Sequence, residues 1–138
     1  MDLNQILQPG LFLETNLVVE SHHTAAHVGS GSLRVLATPI MIGLMESASH
    51  RLLAQYLPEG ASSVGSVVEV RHLAPTPLGS RVWVRSEVLE VDGMRVVFAV
   101  RAWDEQEQVG EGRHTRVVID TARFIRRVEK KAELLAPK

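Results

Sequence analysis

The chain reads as an α+β fold in which an antiparallel sheet curves around one long helix. Three observations predict it. A long, mostly apolar segment runs from Thr38 towards Leu57, four valine-rich runs follow it, and an Asp-Gly pair stands between two of those runs. A helix that is apolar on most faces must be covered on most faces, and an antiparallel sheet supplies that cover.

Each element can be justified in chain order. Leu11 to Glu20, "LFLETNLVVE", places leucines at 11, 13 and 17 in partial alternation and reads as a strand. The segment that follows, "SHHTAAHVGSGS", is small, polar and rich in glycine and serine, and reads as a mobile loop. Thr38 and Pro39 form the cap and first-turn pair that opens a helix, because the hydroxyl can take a free amide and proline loses no bond there. The helix continues to about Leu57, ahead of Pro58 and Gly60. Its first half, "PIMIGLME", is apolar nearly all round; Ser47, Ser49, His50, Arg51 and Gln55 make the second half one-sided. Val64 to Leu73, Arg81 to Val91, Met94 to Asp104 and Gln108 to Ile119 are the four strand runs. Asp92-Gly93 marks a two-residue hairpin, with both turn positions favouring positive φ, and Glu105-Gln106 marks the next turn. Thr121 to Leu135 is basic, amphipathic and helical in pattern. No internal repeat or linker divides the chain, so residues 1–138 form one domain.

Composition narrows the function classes. Charged residues make up 22% of the 138 and the net charge is −1, which supplies no footprint for nucleic acid or an anionic membrane. There is no cysteine, hence no disulfide or thiolate chemistry, in keeping with a reducing compartment. The first ten residues lack the pattern of a signal peptide, and no run approaches the roughly 20 apolar residues that span a bilayer. A cytoplasmic location is expected.

Several side chains are candidates for chemistry. Glu46 lies within the apolar half of the helix, on a face with Ile42, Gly43, Ser49, His50 and Leu53. Such a carboxylate either reaches solvent at the edge of the buried face or sits in apolar surroundings suited to proton transfer or nucleophilic attack. Thr38 is fully explained as a cap, yet a hydroxyl beside free helix-end amides is also placed to help hold a carbonyl oxygen. His72 ends a strand run, and the "APTPLG" that follows makes an extended corner, where side chains can face a cleft. His22, His23 and His27 cluster in the polar loop, but no spacing or carboxylate pair fixes a metal geometry, and no metal site is expected. The chain carries no G-x-S-x-G elbow, P-loop or dinucleotide fingerprint.

Together, "ATPIMIGLMESAS", "GSVVEVRHLAPTPLGSRVWV" and "GEGRHTRVVI" resemble the hot-dog-fold thioesterases of the fluoroacetyl-coenzyme A thioesterase family, from about Leu11 to Ile119. The specific part is a threonine at the helix start, a glutamate eight residues on and a histidine twenty-six beyond that, here Thr38, Glu46 and His72. The resemblance implies a hot-dog fold and a catalytic Thr38/Glu46/His72 set hydrolysing an acyl thioester. It also implies a homodimer with its sites at the subunit boundary. Coenzyme A would enter as part of the acyl-CoA substrate, with no cofactor. Gly65 matches a family glycine lining the acyl pocket, whose amide could hold the thioester oxygen, and Arg116 matches a family arginine. One departure stands out. The fluoroacetyl-specific enzyme carries phenylalanines in a lid just upstream of the helix, whereas "GSGSLRVLAT" here has no aromatic residue, so the resemblance implies thioester hydrolysis but does not extend to selection for a fluorinated group by the same packing. Two rivals remain. A hot-dog hydratase would need an aspartate that this helix lacks, and a non-catalytic acyl-CoA-binding or dimer-scaffold protein would need none of the three polar residues together.

Overall fold

The computed structural model describes residues 1–137. The elements are α1 (Leu3–Ile6), β1 (Phe12–Val18), a 3-10 turn (Ser21–His23), α2 (Ala25–Val28), α3 (Thr38–Ala54), β2 (Ala61–His72), β3 (Arg81–Asp92), β4 (Arg95–Trp103), β5 (Gln108–Asp120) and α4 (Thr121–Leu135). The five strands form one antiparallel sheet in the order β1-β3-β4-β5-β2, with α3 packed across it. This is the wrapped helix expected from the sequence. Tight turns join β3, β4 and β5 as a meander, while β2, which precedes them in the chain, takes the far edge beside β5.

Alternation decides which side chains enter the core. Val82, Val84, Ser86 and Val88 of β3 and Val96, Phe98, Val100 and Ala102 of β4 all point inward and are buried. They meet Met41, Met45, Ala48, Ser49, Leu52 and Leu53, a single stripe at helical spacing on α3. Each large apolar side chain buried in this way contributes about 1.5–3 kcal/mol. The sheet covers one side of α3 only: Ile42 stays half-buried and Gly43 exposed, so the all-round apolar first half is not fully wrapped within this chain. Gly110 has a steric role, since a Cβ there would collide with Met41 Sδ; its absence lets the start of α3 lie close on β5.

Four local expectations need correction. Thr38 does not cap α3; Ala37 occupies the cap position without a side-chain bond, and Thr38 is the first helical residue. The helix ends at Ala54, four residues before Pro58, where Gln55 N–H turns back to Leu52. At the β3–β4 hairpin, Asp92 pairs with Arg95, leaving Gly93 and Met94 as the turn, and only glycine has positive φ (61°). The polar "SHHTAAHVGSGS" segment is partly helical: Thr24 caps α2 by accepting from His27 N–H, and Ala25 and Ala26 N–H donate to Val35 and Leu33 carbonyls. The amino-terminal turn was not anticipated, yet Leu3 and Leu7 are buried in the core.

Candidate active site

The sheet's inner face changes character towards its β5–β2 side. There the inward positions carry His114 and Arg116 on β5 and Ser63, Gly65 and His72 on β2. Two groupings form on this surface, both facing α3.

The first lies at the start of α3. Thr38 Oγ1 is 2.7 Å from His72 Nδ1. His72 is opposite Gly110, the glycine on which Met41 closes, so the tight approach of helix to sheet brings hydroxyl to imidazole. Because Thr38 is freed from capping, its hydroxyl serves the histidine instead. His72 Nε2 is buried and meets no hydrogen-bond partner among the described residues. Burial lowers the His72 pKa from its ordinary value, opposed in part by the Ala74 backbone, which does not come into bonding geometry with Nε2.

The second lies two helical turns on. Eight residues of helix separate Glu46 from Thr38, a rise of about 12 Å, and no hydrogen bond joins Glu46 to either Thr38 or His72 among the described residues. Glu46, half-buried, stands instead over Gly65. A Cβ on Gly65 would be 3.2 Å from Glu46 Oε2, 3.3 Å from His114 Cε1 and 3.5 Å from Arg116 Nη1. Gly65 has no positive φ, so what its lack of a side chain provides is space. The carboxylate and guanidinium both crowd the bare face of this glycine, closer than a side chain there would comfortably allow.

Arg116 is 7% exposed. Its Nε–H donates to Ser63 Oγ (2.9 Å), Nη2–H to the Ser63 carbonyl (3.1 Å) and Nη1–H to His114 Nε2 (3.1 Å). Burial lowers its pKa while the Glu46 charge raises it. His114 Nδ1 is 2.8 Å from the Val67 carbonyl. The sequence marked Arg116 only by resemblance and did not single out His114. Its signal would have been the alternation of His114 and Arg116 on a strand, which places both on the inner face.

The structure therefore pairs Thr38 with His72 and sets Glu46 with Gly65, but it does not join the three catalytic candidates in one contact. Between the groupings, β2 presents Val68 on the same inner face, 42% exposed. On the 3-10 turn, the rings of His22 and His23 lie 3.8 Å apart and His23 Nδ1 accepts the Glu20 amide, so His23 closes a local turn.

A helix crossing an antiparallel sheet, with polar residues gathered where its apolar stripe meets the edge strand, defines the hot-dog class, and comparison with solved structures agrees. A hot-dog-like protein from Thermanaerovibrio acidaminovorans superposes with a TM-score of 0.90 at 29% identity over 100% of both chains. The fluoroacetyl-CoA thioesterase structure superposes at 0.84 with 35% identity, covering 91% of this chain and 97% of that one. A family described as fluoroacetyl-CoA-specific thioesterase matches residues 19–122. The fluoroacetyl-CoA thioesterase of Streptantibioticus cattleyicolor is 38% identical over 122 residues, 84% of this chain and 88% of that protein. The chain belongs to the fluoroacetyl-CoA-specific thioesterase family.

Proposed function

We propose that this protein hydrolyses an acyl-CoA thioester, with Glu46, His72 and Thr38 as its catalytic residues. It is a thioesterase of the hot-dog fold, akin to the fluoroacetyl-CoA thioesterase. The observation that carries the assignment of residues is the 2.7 Å contact of Thr38 Oγ1 with His72 Nδ1, which ties one ring nitrogen and leaves Nε2 without a partner among the described residues. With Nδ1–H donating to Thr38 Oγ1, Nε2 keeps a lone pair that takes the proton of the attacking water. Where water attacks the thioester itself, that proton passes to the sulfur as the C–S bond breaks; where Glu46 attacks first, the thiolate leaves before water opens the anhydride and takes up the proton from Nε2 afterwards. The lowered pKa keeps that lone pair free at neutral pH. Glu46 attacks the thioester carbonyl, giving an acyl-enzyme anhydride, or activates water directly. The bare Gly65 lets the carboxylate lie close on β2, and a backbone amide there supports the oxyanion, worth about 3 kcal/mol for such a donor elsewhere.

The reaction asks for no cofactor; coenzyme A arrives with the substrate. The working form is a homodimer joined along β2. Supporting this, β2 is an edge strand with Val67 39% and Val68 42% exposed, and Ile42 beside Glu46 is left half-covered. Among the described residues no helix is long and apolar enough to cross a membrane, and we place the protein in the cytoplasm, which suits a chain without cysteine. Selection for a fluorinated acyl group is not part of the proposal. The stretch ahead of α3 presents an exposed Leu33 and Arg34 in place of aromatic packing.

The test is thiol release across short, branched and aromatic acyl-CoAs, run with the wild type and with Glu46→Ala. Wild-type release, with Glu46→Ala folded and slower by about a thousandfold or more, is expected when a reacting group is removed. Binding of acyl-CoA without release by the wild type would favour the non-catalytic module, and near-wild-type rates in Glu46→Ala would remove the carboxylate from the mechanism.

A further inference from the structure

His114 is buried, titratable and unused by the proposed reaction. It is 1% exposed, and its ring lies 6.4 Å from that of Phe98 in a stacked arrangement. Its two neighbours fix its protonation. The Val67 carbonyl can only accept, so Nδ1 carries the hydrogen; Arg116 can only donate, so Nε2 offers its lone pair. Burial lowers the His114 pKa, the Val67 carbonyl opposes that, the Arg116 charge adds to it and the Glu46 charge opposes it. The result is a neutral imidazole in the Nδ1–H form.

The two bonds lead to different parts of the site. Val67 is the residue at which β2 resumes its pairing with β5, after the register shift that follows Gly65. Arg116, held at its other nitrogens by Ser63, is the charge that faces Glu46. Ser63 and Val67 stand two residues either side of Gly65, so His114 and Arg116 together grip β2 around the glycine over which the carboxylate sits.

We infer that His114 is a positioning residue whose imidazole clamps the β2 bulge at Val67 and aims the Arg116 guanidinium at Glu46. The clamp holds the carboxylate and the Gly65 strand in one fixed relation through turnover. This rests on Glu46 being the reacting carboxylate, so Glu46→Ala is carried through the same series.

His114→Phe keeps a ring against Phe98 and removes both polar arms. Its kcat is expected to fall roughly 10- to 100-fold with KM changed less than about threefold, the scale on which a misplaced reacting group loses rate. His114→Gln puts an oxygen near the Nε2 position and is expected to recover most of the loss. His114→Asn restores only the donor to Val67 and is expected to recover less. On the wild type, ¹⁵N NMR of the ring is expected to report the neutral Nδ1–H form at pH 7. A folded His114→Phe with wild-type kcat would overturn the clamp, as would Asn recovering as much as Gln, or a ring found as Nε2–H or imidazolium. Should His114→Phe fail to fold, the Gln and Asn rates and the tautomer decide. If Glu46→Ala stays active, the proposed reaction falls, while the tautomer still tests the clamp.

Discussion

The two halves of the sheet's inner surface face one helix and follow one pattern of alternation, yet they are built of opposite materials. Across β3 and β4 the inward positions are Val82, Val84, Val88, Val96, Phe98 and Val100, dry and fully packed. Across β5 and β2 they include His114, Arg116, Ser63, Gly65 and His72, polar and partly charged, set among Val68, Val70 and Val118. The first half makes the fold stable, because apolar area leaves water there with nothing polar left unpaired. In the second half burial is used to hold groups in unusual states: a bare imidazole nitrogen, a guanidinium short of water, a carboxylate over a glycine. Ser49 and Ser86 show the rule from the dry side. They are polar, but Ser49 Oγ–H donates to the Met45 carbonyl and its oxygen meets Ser86 Oγ at 2.7 Å, so each is satisfied.

The contrast breaks most visibly at Leu52, buried on α3 against the dry half. Leu52→Ala is expected to cost about 2–5 kcal/mol in chemical denaturation while the folded fraction keeps its kcat. Arg116→Met should behave in the opposite sense. Removing the charge that faces Glu46 is expected to lower kcat roughly 10- to 100-fold, and stability falls as well, by about 1–3 kcal/mol, because His114 Nε2 and the Ser63 carbonyl lose their buried donor. The kcat of the folded protein separates the two, and a Leu52→Ala whose kcat fell as far as that of Arg116→Met would erase the contrast between the halves.

The serine pair sharpens it. Ser49→Ala strands the Ser86 hydroxyl and is expected to cost about 1–2 kcal/mol, whereas the double change to alanine recovers most of that, since no unpaired group remains. A double variant no better than the single one would show that volume matters there and not pairing.

The smallest effect expected is on pH. His72 and His114 both have lowered folded-state pKa values, so the folded form binds fewer protons than the unfolded form between the two values. Their contribution is fully present above the unfolded value of about 6.5 and is lost as pH falls through the folded values. Thermal midpoints measured from pH 8 down to pH 5 should decline below about 6.5. His114→Gln should flatten part of that decline, and an unchanged slope would remove His114 from the linkage.

Much of the fold was legible because period and punctuation agree with it. β3 and β4 could be read from alternating valines, and α3 from a long apolar run opened by Thr38-Pro39 and closed ahead of Pro58. The site was legible in part: Thr38, Glu46, His72 and Gly65 could be named, but their relations could not. A cap reading of Thr38 was locally sufficient, since nothing in "LATP" reveals that Ala37 takes the cap and that an imidazole thirty-four residues away takes the hydroxyl. His114 gave no local sign at all. Its meaning comes from Val67 and Arg116, one across the sheet and the other two positions along the strand.

By itself, the amino-acid order determined which stretches would be strand and which helix, and which side of each would seek the core, because side-chain periodicity and turn chemistry act over a few residues. Only the tertiary structure decided that Gly110 would let α3 settle close enough for Thr38 to reach His72, and that Gly65 would make room beneath Glu46. Those are contacts between elements distant in sequence. Their distances depend on how closely helix and sheet can approach, a quantity set by packing volume and carried by no single segment.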